Sequence, residues 1–163
     1  MRRLLIAVLL AAGGARAEGA PPDRISFHGG GQLALALNKT GFGFALGLSA
    51  QLEMPRVLVT AEASAGGAGQ TLLAEFSAQC GFRLSPLFYL GPALGYTAQQ
   101  DGEFYGTTGF SLGGELGAHV GSERSGWGRT DFFVRALVPL AEPNKDRSVD
   151  PRFLMMIGVR LLI

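Results

Sequence analysis

The sequence predicts an all-β chain, an eight-stranded antiparallel up-and-down transmembrane β-barrel preceded by a signal peptide. Three observations predict it. Apolar and polar residues alternate with a period of two along nearly the whole chain. The composition is glycine-rich and weakly charged, with 25 glycines in 163 residues and a charged fraction of 17%, below the roughly one quarter usual in soluble domains. The first residues have the layout of a secretory leader.

The leader is read as residues 1–17. Arg2 and Arg3 form a positive start, residues 4–12 are an apolar run, and Ala15-Arg16-Ala17 fits a small-x-small cleavage site. The run is too short for a spanning helix, which needs roughly 20 residues. Cleavage after Ala17 leaves the barrel domain, residues 18–163. It takes three from the 14 basic residues and leaves 11 against 13 acidic ones. Neither that balance nor the precursor's +1 gives a basic field for nucleic acid. Cys80 is the only cysteine, so a disulfide framework and a cysteine zinc site are both excluded.

Strands are expected at 25–37, 42–54, 57–66, 72–84, 87–99, 104–120, 130–140 and 153–163. The second is the clearest. Phe42, Phe44, Leu46, Leu48, Leu52 and Met54 share one face, and Gly43, Ala45, Gly47, Ser49, Gln51 and Glu53 share the other. Successive strand side chains point to opposite faces, so one face is wholly apolar. At about 13 residues it exceeds the usual globular strand of five or six. Turn formers separate the strands at 38–41, 54–55, 66–70, 85–86, 101–102, 122–128 and 141–151. Pro92 falls inside the fifth strand, where it cannot donate to a ladder, so a bulge or a shorter strand is expected there.

Two architectures suit such strands. A lipocalin-like soluble barrel turns the apolar face inward, and a membrane barrel turns it outward. The polar face carries mostly glycine, alanine, serine and glutamine with single charges, too few to solvate an exterior. The only two lysines, Lys39 and Lys145, both sit beside turn formers. The apolar face is therefore placed against lipid, and a closed barrel leaves no unpaired edge in the bilayer. Two aromatic girdles follow, with Phe27, Phe82, Phe88 and Phe132 near one boundary and Phe42, Phe44, Tyr96, Phe104 and Phe153 near the other.

On this pattern the chain resembles the small eight-stranded outer-membrane β-barrels, the family of the OmpA transmembrane domain, OmpX and the opacity-like proteins. The last strand, residues 153–163, resembles their terminal assembly signal, although it ends on Ile163 where an aromatic is usual. The resemblance implies residence in the outer membrane of a Gram-negative-type bacterium. It also implies contact with membrane lipid and the outer-membrane assembly machinery, and a monomeric state.

The inward face carries Glu53, Glu62, Glu75, Arg83, Glu115, His119, Asp131, Arg135 and Arg160, with His28. An eight-stranded barrel is just wide enough for side chains to fill it, and buried charges must pair. A structural ion-pair network is expected. One register places Glu115 opposite Arg135 and His119 opposite Asp131, centred on Ser125. A register centred in the 66–70 loop places Glu62 beside Glu75, so that one is protonated or an arginine (Arg135 or Arg160) bridges them. Glu62→Gln is then expected to cost little. The small inward residues Ala34, Ala36, Gly43, Ala45, Ser64, Gly95, Thr107 and Gly109 predict an open outer cup above a plugged base.

No catalytic, cofactor-binding or metal-binding residue is assigned. Glu115 and His119 lie about 13 Å apart along a strand at ~3.3 Å per residue, which excludes direct contact. The function expected is a structural or surface-interaction barrel without a continuous pore, and the outer loop at 141–151 is its best candidate for an outside contact. The alternatives are a soluble secreted barrel binding a small apolar ligand and a lipid-modifying outer-membrane enzyme.

Overall fold

The computed structural model describes residues 25–38, 40–101, 106–120, 129–140 and 153–163. The expected leader, Lys39, Phe104, the 122–128 turn and the 141–151 loop lie outside the described residues. Eight strands are described: β1 (Ser26–Asn38), β2 (Gly41–Glu53), β3 (Val57–Ala68), β4 (Thr71–Arg83), β5 (Phe88–Asp101), β6 (Gly106–Val120), β7 (Arg129–Pro139) and β8 (Leu154–Leu162). Their ends differ from the sequence expectation by no more than two residues, because turn formers punctuate a chain whose strands already alternate.

Each strand pairs antiparallel with its sequence neighbour, and β8 returns to pair with β1, from Gly30↔Leu162 to Leu37↔Met155. Gly29 N donates to Ile163 O at 3.2 Å and Ile163 N donates to Gly29 O at 2.9 Å, extending the closing seam. Closure satisfies the strand backbone within the sheet, as a bilayer requires. We call the end bearing Ser26 and Leu162 the terminal end, and the end bearing the β1–β2 and β3–β4 turns the opposite end.

Pro92 neither bulges nor shortens its strand. It pairs with Gly114 on β6, and β5 holds one register against β4, from Gln79↔Ala93 across to Phe82↔Leu90. Pairing with β4 lapses only between those positions, where the proline has no N–H to give. Gly91 beside it is required by close approach, since a Cβ there would stand 1.9 Å from the Cys80 carbonyl oxygen.

The alternation is laid out with its apolar face outward. Leu33, Phe44, Leu46, Leu48, Phe76, Leu90, Leu112, Val134, Ile157 and Leu161 are all exposed, Leu48 to 72%. Phe27, Phe82, Phe88 and Phe132 are exposed near the terminal end, and Phe42, Phe44, Tyr96 and Phe153 near the opposite end.

Thr40 is more than a passive turn residue. Its Oγ1 donates to Asn38 Oδ1 at 2.7 Å and to Ala68 O at 3.0 Å, and it contacts Thr71 Oγ1 at 3.1 Å. Gly69, at φ +62°, makes the neighbouring β3–β4 turn in the left-handed region that favours glycine.

Candidate functional site

Inside the barrel, odd-numbered positions of β7 and even-numbered positions of β8 bring their side chains together with those of the other six strands. The polar groups form two layers. At the terminal end, Arg129 is the hub. Its Nε donates to Asp131 Oδ1 at 2.8 Å, its Nη2 to Gln51 Oε1 at 2.6 Å, and its Nη1 to Glu53. Glu53 also pairs with Arg83 and lies 3.5 Å from His28 Nε2. His119 Nδ1 meets Asp131 Oδ1 at 2.7 Å, and Gln51 Nε2 donates to Thr60 Oγ1 at 3.1 Å.

The central layer is built on two arginines, and both are at most 1% exposed. Arg135 donates from Nε to Glu115 Oε2 at 2.8 Å and from Nη1 to Glu75 Oε1 at 2.9 Å and Ser77 Oγ at 2.6 Å. Its Nη2 pairs with Glu62. Arg160 donates from Nη2 to Glu115 Oε2 at 2.7 Å, from Nη1 to Tyr89 Oη at 2.7 Å, and from Nε to Glu62. Tyr89 Oη in turn donates to Glu115 Oε1 at 2.9 Å. The Phe133 ring lies under the Arg160 guanidinium, 4.0 Å from its Cζ to the ring centroid. A cation over an aromatic face gains from the ring quadrupole.

The register places the sequence-derived residues as follows. Glu115 stands opposite Arg135 and His119 opposite Asp131 across β6 and β7. Glu62 and Glu75 do not face each other: Glu62 pairs with Ser77, and Ser64 with Glu75. The β3–β4 turn is centred one residue later than expected, on Gly69-Gln70. That shift keeps every inward residue inward but sets a serine opposite each acid. Arg135 still touches both acids from across the barrel. Glu115 and His119 do not touch, and Tyr89 links them, its ring centroid 4.9 Å from that of His119.

The expected open outer cup is filled over much of its span. Ala34, Ala36, Ala45, Ala68, Leu73, Ala93, Phe133, Leu137, Leu154 and Met156 form one buried apolar cluster inside the barrel. Ala34, Ala36 and Ala45 cluster with Leu73, Leu137, Leu154 and Met156, and Leu137 also lies against Gly95, so the space there is filled, whereas beside Gly109 the inner wall stays open. Arg129 and Tyr89 were the other omissions. Arg129 falls at the edge of the expected 122–128 turn, yet it shares odd parity with Asp131 and Arg135. Tyr89 lies between outward Phe88 and Leu90, and that parity alone places it inside.

The pairing pattern reverses the expectation for Glu62. Glu62 accepts from two buried guanidinium groups, whereas Glu75 Oε2 has no partner. Glu62→Gln sets an amide N–H₂ against an arginine donor and is expected to cost about 1–3 kcal/mol more than Glu75→Gln. Urea unfolding of the two variants in lipid vesicles measures the difference.

Among the described residues no group of three or more His, Cys, Asp or Glu side chains could hold a metal ion. His119 Nε2 lies 3.4 Å from Arg129 Nη2, so both ring nitrogens face protein groups.

No family model matches the sequence, and no curated protein matches it. Among solved structures, the crystal structure of Neisserial surface protein A (NspA), an eight-stranded outer-membrane barrel, is similar with a TM-score of 0.64. The match covers 85% of this chain and 98% of that one at 18% identity. This chain has the fold of a small eight-stranded outer-membrane barrel. At that identity the likeness is one of architecture. The interior pairs described above rest on this chain's own residues.

Proposed function

We propose that the protein is an integral outer-membrane barrel with a structural or surface-interaction role, made as a precursor whose leader, residues 1–17, is removed. The observation that carries this reading is the inverted polarity of the barrel. Large apolar side chains cover its outside while, among the described residues, eleven charged or histidine side chains, including Arg129, Arg135, Asp131 and Arg160, are held within it. A barrel in water would place these the other way round. NspA, by its name a surface protein, has the same architecture, which agrees with a surface role here.

In this reading the partners are membrane lipid and the assembly machinery of the outer membrane, and the barrel acts as a monomer without cofactor or catalysis. The plug is polar at the terminal end and apolar toward the opposite end, and it blocks a continuous pore. Fractionation is the test. The mature chain is expected with outer membranes and with a gel mobility that changes on heating, and release with the periplasm points instead to the soluble barrel. In planar bilayers the refolded protein is expected to show no sustained large conductance. A stable open channel contradicts the plug.

A further inference from the structure

Among the described residues, the central layer sets three carboxylates, Glu62, Glu75 and Glu115, against two guanidinium groups, Arg135 and Arg160. The terminal layer has equal numbers, with Glu53 and Asp131 against Arg83 and Arg129. One formal negative charge is therefore in excess at mid-height. Glu75 is where it is least neutralised. Its Oε1 accepts from Arg135 Nη1 at 2.9 Å, while its Oε2 is buried without a partner among the described residues.

A second buried oxygen lies beside it. Thr97 stands opposite Glu75 in the β4–β5 register, and its Oγ1 also has no partner. Residues so paired have Cβ atoms about 4.5–5.5 Å apart. The two residues are 1% and 7% exposed. On its other side Thr97 pairs with Gly109, where an added Cβ would find no heavy atom within 4 Å. Two unpaired buried oxygens and an open stretch of inner wall thus stand side by side on three adjacent strands. Buried polar atoms in folded proteins are nearly always partnered.

We propose that Glu75 Oε2 and Thr97 Oγ1 hold a small monovalent cation of the sodium class, in the space beside Gly109. The protein donors are a carboxylate and a hydroxyl oxygen, the ligands suited to hard cations. A single positive charge brings the central layer to neutrality. A divalent ion would leave it positive next to Arg135. Water alone can bond to both oxygens but leaves the excess charge in place.

The test is urea unfolding of the protein refolded in neutral lipid vesicles, in sodium chloride and in N-methylglucamine chloride at equal ionic strength. A cation bound only by the folded state multiplies the folded-to-unfolded ratio by one plus its concentration over Kd, about elevenfold at a tenfold excess. The wild type is expected to show this sodium preference. Glu75→Gln is expected to lose it, and Thr97→Val, which keeps the carboxylate, to reduce it severalfold. Equal ratios in the two salts for the wild type mean that no sodium is bound, and overturn the proposal. A sodium preference unchanged in the variants, or in Thr97→Val alone should Glu75→Gln not fold, places the ion elsewhere and overturns it as well. Insertion into vesicles is scored separately, so a failure of the membrane reading is distinguishable from a failure of this one.

Discussion

Arg135→Ala is expected to destabilise the folded barrel by about 3–5 kcal/mol, the scale of a broken buried ion pair. Arg135 is 1% exposed and touches Glu62, Glu75, Glu115 and Ser77. Its removal leaves Glu75 without its arginine and takes one of two arginines from both Glu62 and Glu115. Much of the cost comes from the stranded carboxylates, which have lost both water and a partner. Removing Glu115 as well should therefore restore part of the stability. A double-mutant cycle on Arg135 and Glu115, read by urea unfolding in vesicles, is expected to give a clear coupling energy. Independent effects of the two substitutions would mean that the central layer does not act as a unit.

Leu46→Arg is expected to cost about 2–4 kcal/mol, the penalty for arginine on the lipid face of a barrel near the midplane. Leu46 is 65% exposed on the outer face and lies midway along β2. It belongs to one registered row, Val159–Leu33–Leu46–Ala65, across four strands. Val159→Arg, in the same row, should cost a similar amount. Gln70→Arg, exposed in the β3–β4 turn, should be nearly silent. In water an arginine at any of these outward-facing sites would cost little, so equal, small effects at all three would remove lipid from that face. Thr40 is unsuited as the silent control, because its hydroxyl ties the β1–β2 turn to Ala68 and Thr71.

Much of the fold was legible because strand geometry has a period of two. Once Phe42, Phe44, Leu46 and Leu48 share a face, Gly43, Ala45, Gly47 and Ser49 must share the other. The same parity places Tyr89, Arg129 and Phe133 inside. The sorting of residues between the two faces therefore needed no tertiary information. Arg129 adjoins a glycine- and serine-rich stretch that reads as turn, which hides its place on the strand.

Which inward side chains meet is a different matter. It depends on where each turn is centred and on how the sheet closes. A one-residue difference in the centre of the β3–β4 turn leaves the faces unchanged, yet it moves Glu75 from opposite Glu62 to opposite Ser64. Pairing within a hairpin could be read at β6–β7, where two opposite-charge pairs, Glu115 with Arg135 and His119 with Asp131, satisfy one register. Contacts across the barrel leave no such trace. Arg135 reaches Glu62 and Glu75, and Arg160 reaches Glu115 and Tyr89, only after eight strands have closed with their stagger. The apolar plug arises in the same way, because Leu137 and Met156 fill space that Ala34, Ala36 and Ala45 leave empty on other strands. The sequence by itself determined strand number, strand direction and the face of each residue, because these are local consequences of alternation and turns. Tertiary structure decided the charge partners and the filled interior, because both depend on side chains meeting through the barrel axis, where distance along the chain carries no information.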